Sequence, residues 1–295
     1  MVDGIRGSGD VAVVTGGGRG IGRGIAERLV ARGYAVVVTD LDADSARRTA
    51  AEVGAVAGLG HDVRDEAAHA EVAAAAREHG RLVAWFNNAG VGDDGRLADL
   101  ASASVRRLVE ANLLGTVWGT RAALAAFGPD GGDVVNTASL SGLGPVPGLS
   151  MYAATKAAVV SLTTSVHAET PRSVRVHAVC PDGVDTAMVE AMDPTGMAKE
   201  LNHSGGRLLT VDEVADAAVA MIGSRRVVRS LPGWRGGLVR STSLAPGVAM
   251  KGLPLFRWLG RRASRAASAP RAATRSSPRR RRRPRRRRAA GRRSG

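Results

Sequence analysis

Short continuous apolar runs alternate along this chain with longer stretches in which apolar residues return every three or four positions. Val11–Thr15, Ala35–Thr39, Leu82–Phe86, Val174–Val179 and a run opening at Val134-Val135 and ending at Ser139 are the short runs. Bounded by Gly, Asn or Pro, such runs read as buried strands. Between the first two, Ile21, Ile25, Leu29 and Val30 mark one face of a helix. Residues 65–78 form an Ala-rich helical segment, and 103–127 hold a long helical pattern. Another helix should begin after Pro145 and Pro147 and stop near Pro171. A weak third strand precedes His61-Asp62-Val63, and 226–230 suggest a last one. Thr210 with Glu213 three residues on predicts a capped helix over 210–222. Repeated strand–helix units predict an α/β fold, a doubly wound parallel sheet of about seven strands with helices on both faces.

Ligands in such sheets sit at the carboxyl ends of strands. The first run is followed at once by Thr15-Gly-Gly-Gly-Arg-Gly-Ile-Gly22, and the second closes on Asp40. Glycines allow a tight turn and close approach to a pyrophosphate, the helix N-terminus attracts its charge, and a carboxylate ending the second strand can hydrogen-bond ribose hydroxyls. The spacing Gly16-x-x-x-Gly20-x-Gly22 is a variant of the Rossmann-type dinucleotide turn, with Gly18, Arg19 and Ile21 inside it. These elements together predict nucleotide binding. Asp62, Asn87–Gly90, Ser139 and Pro181–Thr186 fall at the same strand ends.

Tyr152 and Lys156 stand four residues apart, on one face of a helix. A phenol is a poor acid or base at neutral pH, and a neighbouring ammonium should lower its pKa enough for proton transfer. Alone, Y-x-x-x-K is common on helix surfaces.

In order along the chain, Thr15-Gly16…Gly20-x-Gly22, Asp62-Val63, Asn87-Asn88-Ala89-Gly90, Asn112, Ser139, Tyr152-x-x-x-Lys156 and Pro181…Thr186 resemble the short-chain dehydrogenase/reductase family from about Val11 to Ile222. The resemblance implies an oxidoreductase that moves hydride between a nicotinamide cofactor and a secondary alcohol or ketone. Tyr152 would exchange the proton with the substrate oxygen, and Ser139 would hydrogen-bond that oxygen. Lys156 would tune Tyr152 and bind the nicotinamide ribose, while Asn112 would hold a water in a proton relay. Cofactor contacts are expected at Thr15, Gly16, Gly18, Arg19, Gly20, Ile21, Gly22, Asp40, Asp62, Val63, Asn88, Ala89, Gly90, Tyr152, Lys156, Pro181, Gly183, Val184 and Thr186. Asp40 opposes a 2′-phosphate and favours NAD over NADP, although Arg19 is a residue type that accompanies NADP in the family. One departure is Pro181-Asp182-Gly183 where the family has Pro-Gly, which puts a carboxylate where backbone would approach the nicotinamide. The resemblance also implies a mobile lid near 187–209 and a homodimer or homotetramer built on the 103–127 and 152–170 helices. The rival reading, a nucleotide-binding or interaction protein without turnover, does not need Ser139, Tyr152, Lys156 and Asn112 together.

Charge changes the picture only at the end of the chain. The sequence has 295 residues and a formal net charge of +15. Sixteen arginines after position 260, with no acid among them, account for that excess and leave a nearly neutral body. Residues 1–260 are therefore expected to form one domain and 261–295 a disordered Arg-rich tail. Such a tail could contact nucleic acid or anionic lipid, but 39 Arg against three Lys reads more simply as compositional bias. Trp258 and Phe256, beside arginines, fit either packing on the body or a partner subunit, which is favoured, or rest on an anionic membrane. One cysteine, Cys180, excludes an internal disulfide framework and suits a reducing cytoplasm. No apolar run is long enough to span a membrane, and the first residues lack the apolar core of a secretory signal.

Overall fold

The computed structural model describes residues 9–194, 196–244 and 246–268. In chain order the elements are β1 (Asp10–Thr15), α1 (Gly20–Ala31), β2 (Ala35–Asp40), α2 (Ala43–Val53), β3 (Ala57–Gly60), α3 (Glu66–Glu78) and β4 (Arg81–Asn87). The long helical stretch then comprises α4 (Ser102–Val109), a π-helical turn (Glu110–Leu114) and α5 (Gly115–Ala126), followed by β5 (Gly132–Thr137). The rest comprises α6 (Ser150–Glu169), β6 (Val174–Pro181), α7 (Ala187–Glu190), α8 (Met197–His203), α9 (Val211–Val219), β7 (Val228–Leu231), α10 (Gly233–Leu244) and α11 (Pro246–Ser268).

Among the described residues the strands form one seven-stranded parallel sheet in the order β3-β2-β1-β4-β5-β6-β7. Alternate side chains of each strand feed opposite layers. Ala12, Val14, Val36, Val38, Ala84 and Phe86 pack under Ile25 and Leu29 of α1, Ala46 and Ala50 of α2, and Ala215 and Ala218 of α9. Val11, Val13, Val37, Leu82 and Trp85 pack under Val72, Ala73 and Ala76 of α3 and Ala123 of α5. The sheet is buried on both faces, which is why its strands read as unbroken apolar runs. Strands are added in one direction from β1 to β3 and in the other from β4 onward, so a crevice opens between the carboxyl ends of β1 and β4.

Ion pairs fasten the opposite end of the sheet. Asp133, at the start of β5, is fully buried. Its Oδ1 and Oδ2 accept from Arg175 Nε and Nη2 at 2.8 Å each, and Oδ1 also accepts from the Gly223 amide at 3.0 Å and contacts His177 Nε2 at 3.0 Å. Burial pushes its pKa up, but the hydrogen bonds from His177, Arg175 and Gly223 prevail and bring it down to about 2. Asp10, at the start of β1, is held in the same way by Arg81.

Two expectations change, and two further helices appear. The 103–127 pattern is one continuous helical path, but it carries a π-turn centred on Asn112, a feature frequent at functional sites. Residues 232–235 and 253–259, which form no obvious sheet element in the sequence, fall at the start of α10 and within α11. Their glycines and Pro254 hide the helices from local propensity; α11 packs on α8, with Gly260 lying directly on the Glu200 backbone, and α10 packs on β7 and α11. α11 also continues to Ser268, past position 261 where the tail was expected to begin. Residues 269–295, including the Arg279–Arg288 run, lie outside the described residues.

Removing a buried ion-pair partner costs about 3 kcal/mol or more, so Asp133→Ala should lower the unfolding free energy in urea by that order. A depressed carboxylate stabilises fully above its unfolded pKa near 4 and loses this as pH falls through its folded value. The gap between parent and variant should therefore hold at neutral pH and close between about pH 4 and pH 2.

Candidate active site

Two loops meet in the crevice. Thr15, the last residue of β1, donates its hydroxyl to the Phe86 carbonyl at 3.2 Å and accepts the Asn88 and Ala89 amides at 3.1 Å each. Asn88 Nδ2 answers by donating to the Thr15 and Gly16 carbonyls at 3.2 and 3.1 Å. The fit leaves no room for side chains. A Cβ on Gly16, which also has φ +61°, would lie 2.7 Å from Ala89 Cα, and one on Gly22 would lie 2.1 Å from the Gly16 carbonyl oxygen. Exposed Arg19 caps α1 without a side-chain bond, so the amides of the first turn stay open to an anion. Thr186, the residue before α7, faces Gly20 across this turn, 3.9 Å from where a Cβ would stand. Gly16, Gly18, Arg19, Gly20, Ile21, Gly22 and Thr186 are thus brought together.

At the far side of α1, Asp40 accepts the Gly18 amide at 3.0 Å with Oδ2 and the Asp42 amide at 3.2 Å with Oδ1. Ser45 and Thr49 both donate to the Gly18 carbonyl. The last glycine-loop residue before Arg19 is therefore clamped to the acid that closes β2. Asp62 lies beyond β3 on the surface, where Arg64 binds it bidentately and holds its carboxyl below the usual range. Val63 packs on Gly115 and accepts from His69 Nε2 at 2.9 Å through its carbonyl. His69 stacks edge-on against buried His61, with ring centroids 4.4 Å apart; burial, with the other imidazole beside it, pushes His61 down to about 4. Sequence reasoning passed over this neutral pair, which braces the Asp62-Val63 loop from below. Asn87, by contrast, is spent inside the core on Trp85, Thr120 and Asn136.

Ser139 follows β5 in extended backbone, Tyr152 and Lys156 occupy one face of α6, and Asn112 sits in the π-turn. The four converge. The Ser139 hydroxyl stands beside the Tyr152 phenol, and Lys156 Nζ lies 5.8 Å from the centre of the phenol ring. That amine donates to the Thr137 carbonyl at 2.8 Å. Asn112 Oδ1 accepts the Val91 amide at 2.8 Å and Nδ2 donates to the Val91 carbonyl at 2.9 Å, which pins the Gly90-Val91 loop beside Lys156. The expected lowering of the Tyr152 pKa by Lys156 does not appear in the protein alone. Burial pushes the phenol up to about 12, against the neighbouring Ser139 hydroxyl. Burial likewise holds Lys156 down to about 8. Desolvation outweighs the pairing because both groups lose water and neither meets a full opposite charge.

Asp182 was expected to crowd the nicotinamide side. Instead its carboxylate turns to Arg235 of α10, at 2.5 Å from Nε but off the hydrogen-bond axis, with both side chains about 10% exposed. Arg235 Nη2 also donates to Ser204 Oγ at 2.6 Å and to the Leu201 carbonyl at 3.2 Å. One guanidinium thereby ties the loop after β6, the end of α8 and the C-terminal helices. Burial raises the Asp182 pKa and Arg235 pulls it back. Nothing in the local sequence marks this arginine among the others. Gly183 and Val184 pair with Leu209 on the following loop, and Pro181 accepts from Ser139 Oγ at 3.5 Å. Cys180 is a buried thiol pushed up to about 12, an inert packing residue.

The cradle of open α1 amides, close-packed glycines and Asp40 fits a nicotinamide dinucleotide. A model of the short-chain dehydrogenase family matches residues 10–197. The chain belongs to that family. This dehydrogenase is 36% identical over 227 residues to 2-(S)-hydroxypropyl-CoM dehydrogenase 3 of Xanthobacter autotrophicus, an alignment covering 72% of this chain and 89% of the relative. It is 37% identical to the L-fucose dehydrogenase of Bos taurus, over 74% of this chain and 85% of that one. Its fold superposes with TM-score 0.73 and 28% identity on a short-chain dehydrogenase/reductase from Burkholderia phymatum in complex with NAD, covering 82% and 95% of the two chains. The protein is an NAD(P)-dependent oxidoreductase acting on CH–OH groups, and it uses a nicotinamide cofactor. Members of the family act on small molecules and commonly oligomerise. Among the described residues no helix is long and apolar enough to cross a membrane, and no group of side chains is placed to hold a metal ion.

Arg235→Ala should leave the Asp182 carboxylate buried and unpaired, at a cost of about 3 kcal/mol in urea unfolding. The loss should shrink as pH is lowered, because protonation of Asp182 removes the stranded charge.

Proposed function

We propose that this dehydrogenase interconverts a secondary alcohol and a ketone with Tyr152 as the general acid/base, and that it prefers NAD to NADP. The observation that carries the first part is the convergence of Ser139, Tyr152 and Lys156 next to the Gly90-Val91 loop, at the end of the glycine cradle. The bound nicotinamide supplies the hydride acceptor or donor. The Tyr152 oxygen takes the alcohol proton in oxidation and returns it to the carbonyl oxygen in reduction. Ser139 donates to the same substrate oxygen and stabilises the charge that develops there. Lys156, with one N–H on Thr137, keeps two donors for the nicotinamide ribose and the phenolate side. With its amide spent on Val91, Asn112 enters by holding the loop beside Lys156 where a water linking that amine to solvent would sit.

The cofactor cradle in this reading consists of Thr15, Gly16, Gly18, Gly20, Ile21 and Gly22 for the pyrophosphate, Asp62 and Val63 for the adenine, and Asn88, Ala89 and Gly90 along the dinucleotide. Pro181, Gly183, Val184 and Thr186 flank the nicotinamide. Asp40, fixed by the Gly18 and Asp42 amides, places a carboxylate where NADP would bring a 2′-phosphate. Direct repulsion there outweighs Arg19, which is exposed and lies one turn-residue away. The enzyme is read as a cytoplasmic homodimer or homotetramer, with the α4–α5 and α6 faces as the contact, and 187–209 as the substrate lid.

The test is a panel of ketones and alcohols followed by NADH absorbance. kcat/KM with NADH should exceed that with NADPH. Tyr152→Phe should lower kcat by roughly a hundredfold or more while NADH binding, read by fluorescence, stays within about twofold. Retained turnover in Tyr152→Phe removes that residue from its role.

A further inference from the structure

The C-terminal helix α11 has two faces of different character. Leu253, Phe256, Arg257 and Gly260 turn inward, where Arg257 Nε and Arg261 Nη1 reach Glu200 of α8 at 2.7 and 3.2 Å. Positions 251, 255, 258, 259 and 262 fall on the opposite stripe, at the i, i+4, i+7, i+8, i+11 spacing of one helix face. This stripe is Lys251, Leu255, Trp258, Leu259 and Arg262. Leu255 is 58% exposed and Trp258 50%, and the Arg262 guanidinium stands 5.7 Å over the Trp258 ring. Phe256 is therefore partly covered and Trp258 is exposed.

We propose that this outer face of α11 is a docking surface for anionic phospholipid bilayers. Three observations choose the occupant. Leucines and a tryptophan flanked by Lys and Arg on one helix face match the physics of an interfacial helix, in which apolar side chains enter the headgroup boundary and cations meet lipid phosphates. The charge carried by α10 and α11 has one sign: no Asp or Glu follows Asp216, although the chain holds 27 acidic residues, and Glu200, which meets α11 in ion pairs, lies on its inner side. A second copy of the same face would be repelled. The remaining segment, 269–295, contains no aromatic or large aliphatic residue, so it has nothing with which to cover Leu255 and Trp258, but its arginines add to the attraction for anionic headgroups. Nucleic acid would satisfy the arginines alone and leaves the exposed leucines unexplained. Since α11 packs on α8, docking sets the 187–209 segment close to the membrane surface.

Flotation of the full chain with vesicles tests this. Vesicles of phosphatidylcholine and phosphatidylglycerol in equal parts should carry the protein, and vesicles of phosphatidylcholine alone should not. Leu255→Ser combined with Trp258→Ser, with the Arg-rich segment intact, should weaken partitioning by roughly tenfold, with Tm unchanged and with affinity for duplex DNA unchanged. The charge variant Lys251→Glu with Arg262→Glu should weaken it as well, which keeps the test sound if the first variant lowers Tm. Flotation of both variants equal to the parent assigns any binding to the arginine run and overturns the proposal. So does absence of binding to the anionic vesicles, or an equal loss of DNA affinity.

Discussion

The structure depends on a steric constraint: the backbones of the loops after β1 and β4 must touch. Four hydrogen bonds join Thr15 and Gly16 to Asn88 and Ala89 across that contact, and Gly16 has no space for a methyl group against Ala89. This closes the floor of the crevice and directs α1 so that its first amides point at an incoming anion. The parallel sheet makes it possible, since both strands end on the same edge and diverge to opposite sides. Ion pairs at the other edge, Asp133 with Arg175 and Asp10 with Arg81, hold the strands in register and keep stabilising charge away from the chemistry.

Polar groups at the site are placed by desolvation as much as by pairing. Tyr152 and Lys156 are pushed towards their neutral forms in the protein alone, so the phenol and the amine are poised for a bound partner and not already tuned by each other. Their positions are secured by groups that do no proton chemistry. Thr137 takes the amine, and Asn112 spends its amide on the Val91 peptide. The Asp182–Arg235 pair extends the same logic to the loop after β6. A buried carboxylate there is met by a guanidinium from α10, which couples the 187–209 segment to α10.

Most of the fold is legible in the chain because its physics is local. A buried parallel strand must be apolar on both faces, so β1, β2, β4 and β6 announce themselves, and caps such as Thr210–Glu213 appear as written. The strand-end glycines and Asp40 are legible for the same reason: a turn that must approach a phosphate tolerates few residue types. Family membership followed from the order of these motifs. α10 and α11 were illegible because glycine and proline mask their helical period and their support comes from elements distant in the chain, α8 for α11 and β7 for α10.

The sequence by itself determined the alternation of strands and helices, the glycine-rich turn after β1 and the choice of Ser139, Tyr152, Lys156 and Asn112 as one group, since each rests on contacts within a few positions or on a chemistry that admits few side chains. Tertiary structure alone decided which arginine answers Asp182, that Asn112 is consumed by the Val91 peptide, that burial and not Lys156 governs the phenol, and that Phe256 turns inward while Trp258 faces solvent. Those outcomes depend on distances between elements far apart in the chain and on how much water each group loses. Neither quantity is written in local pattern.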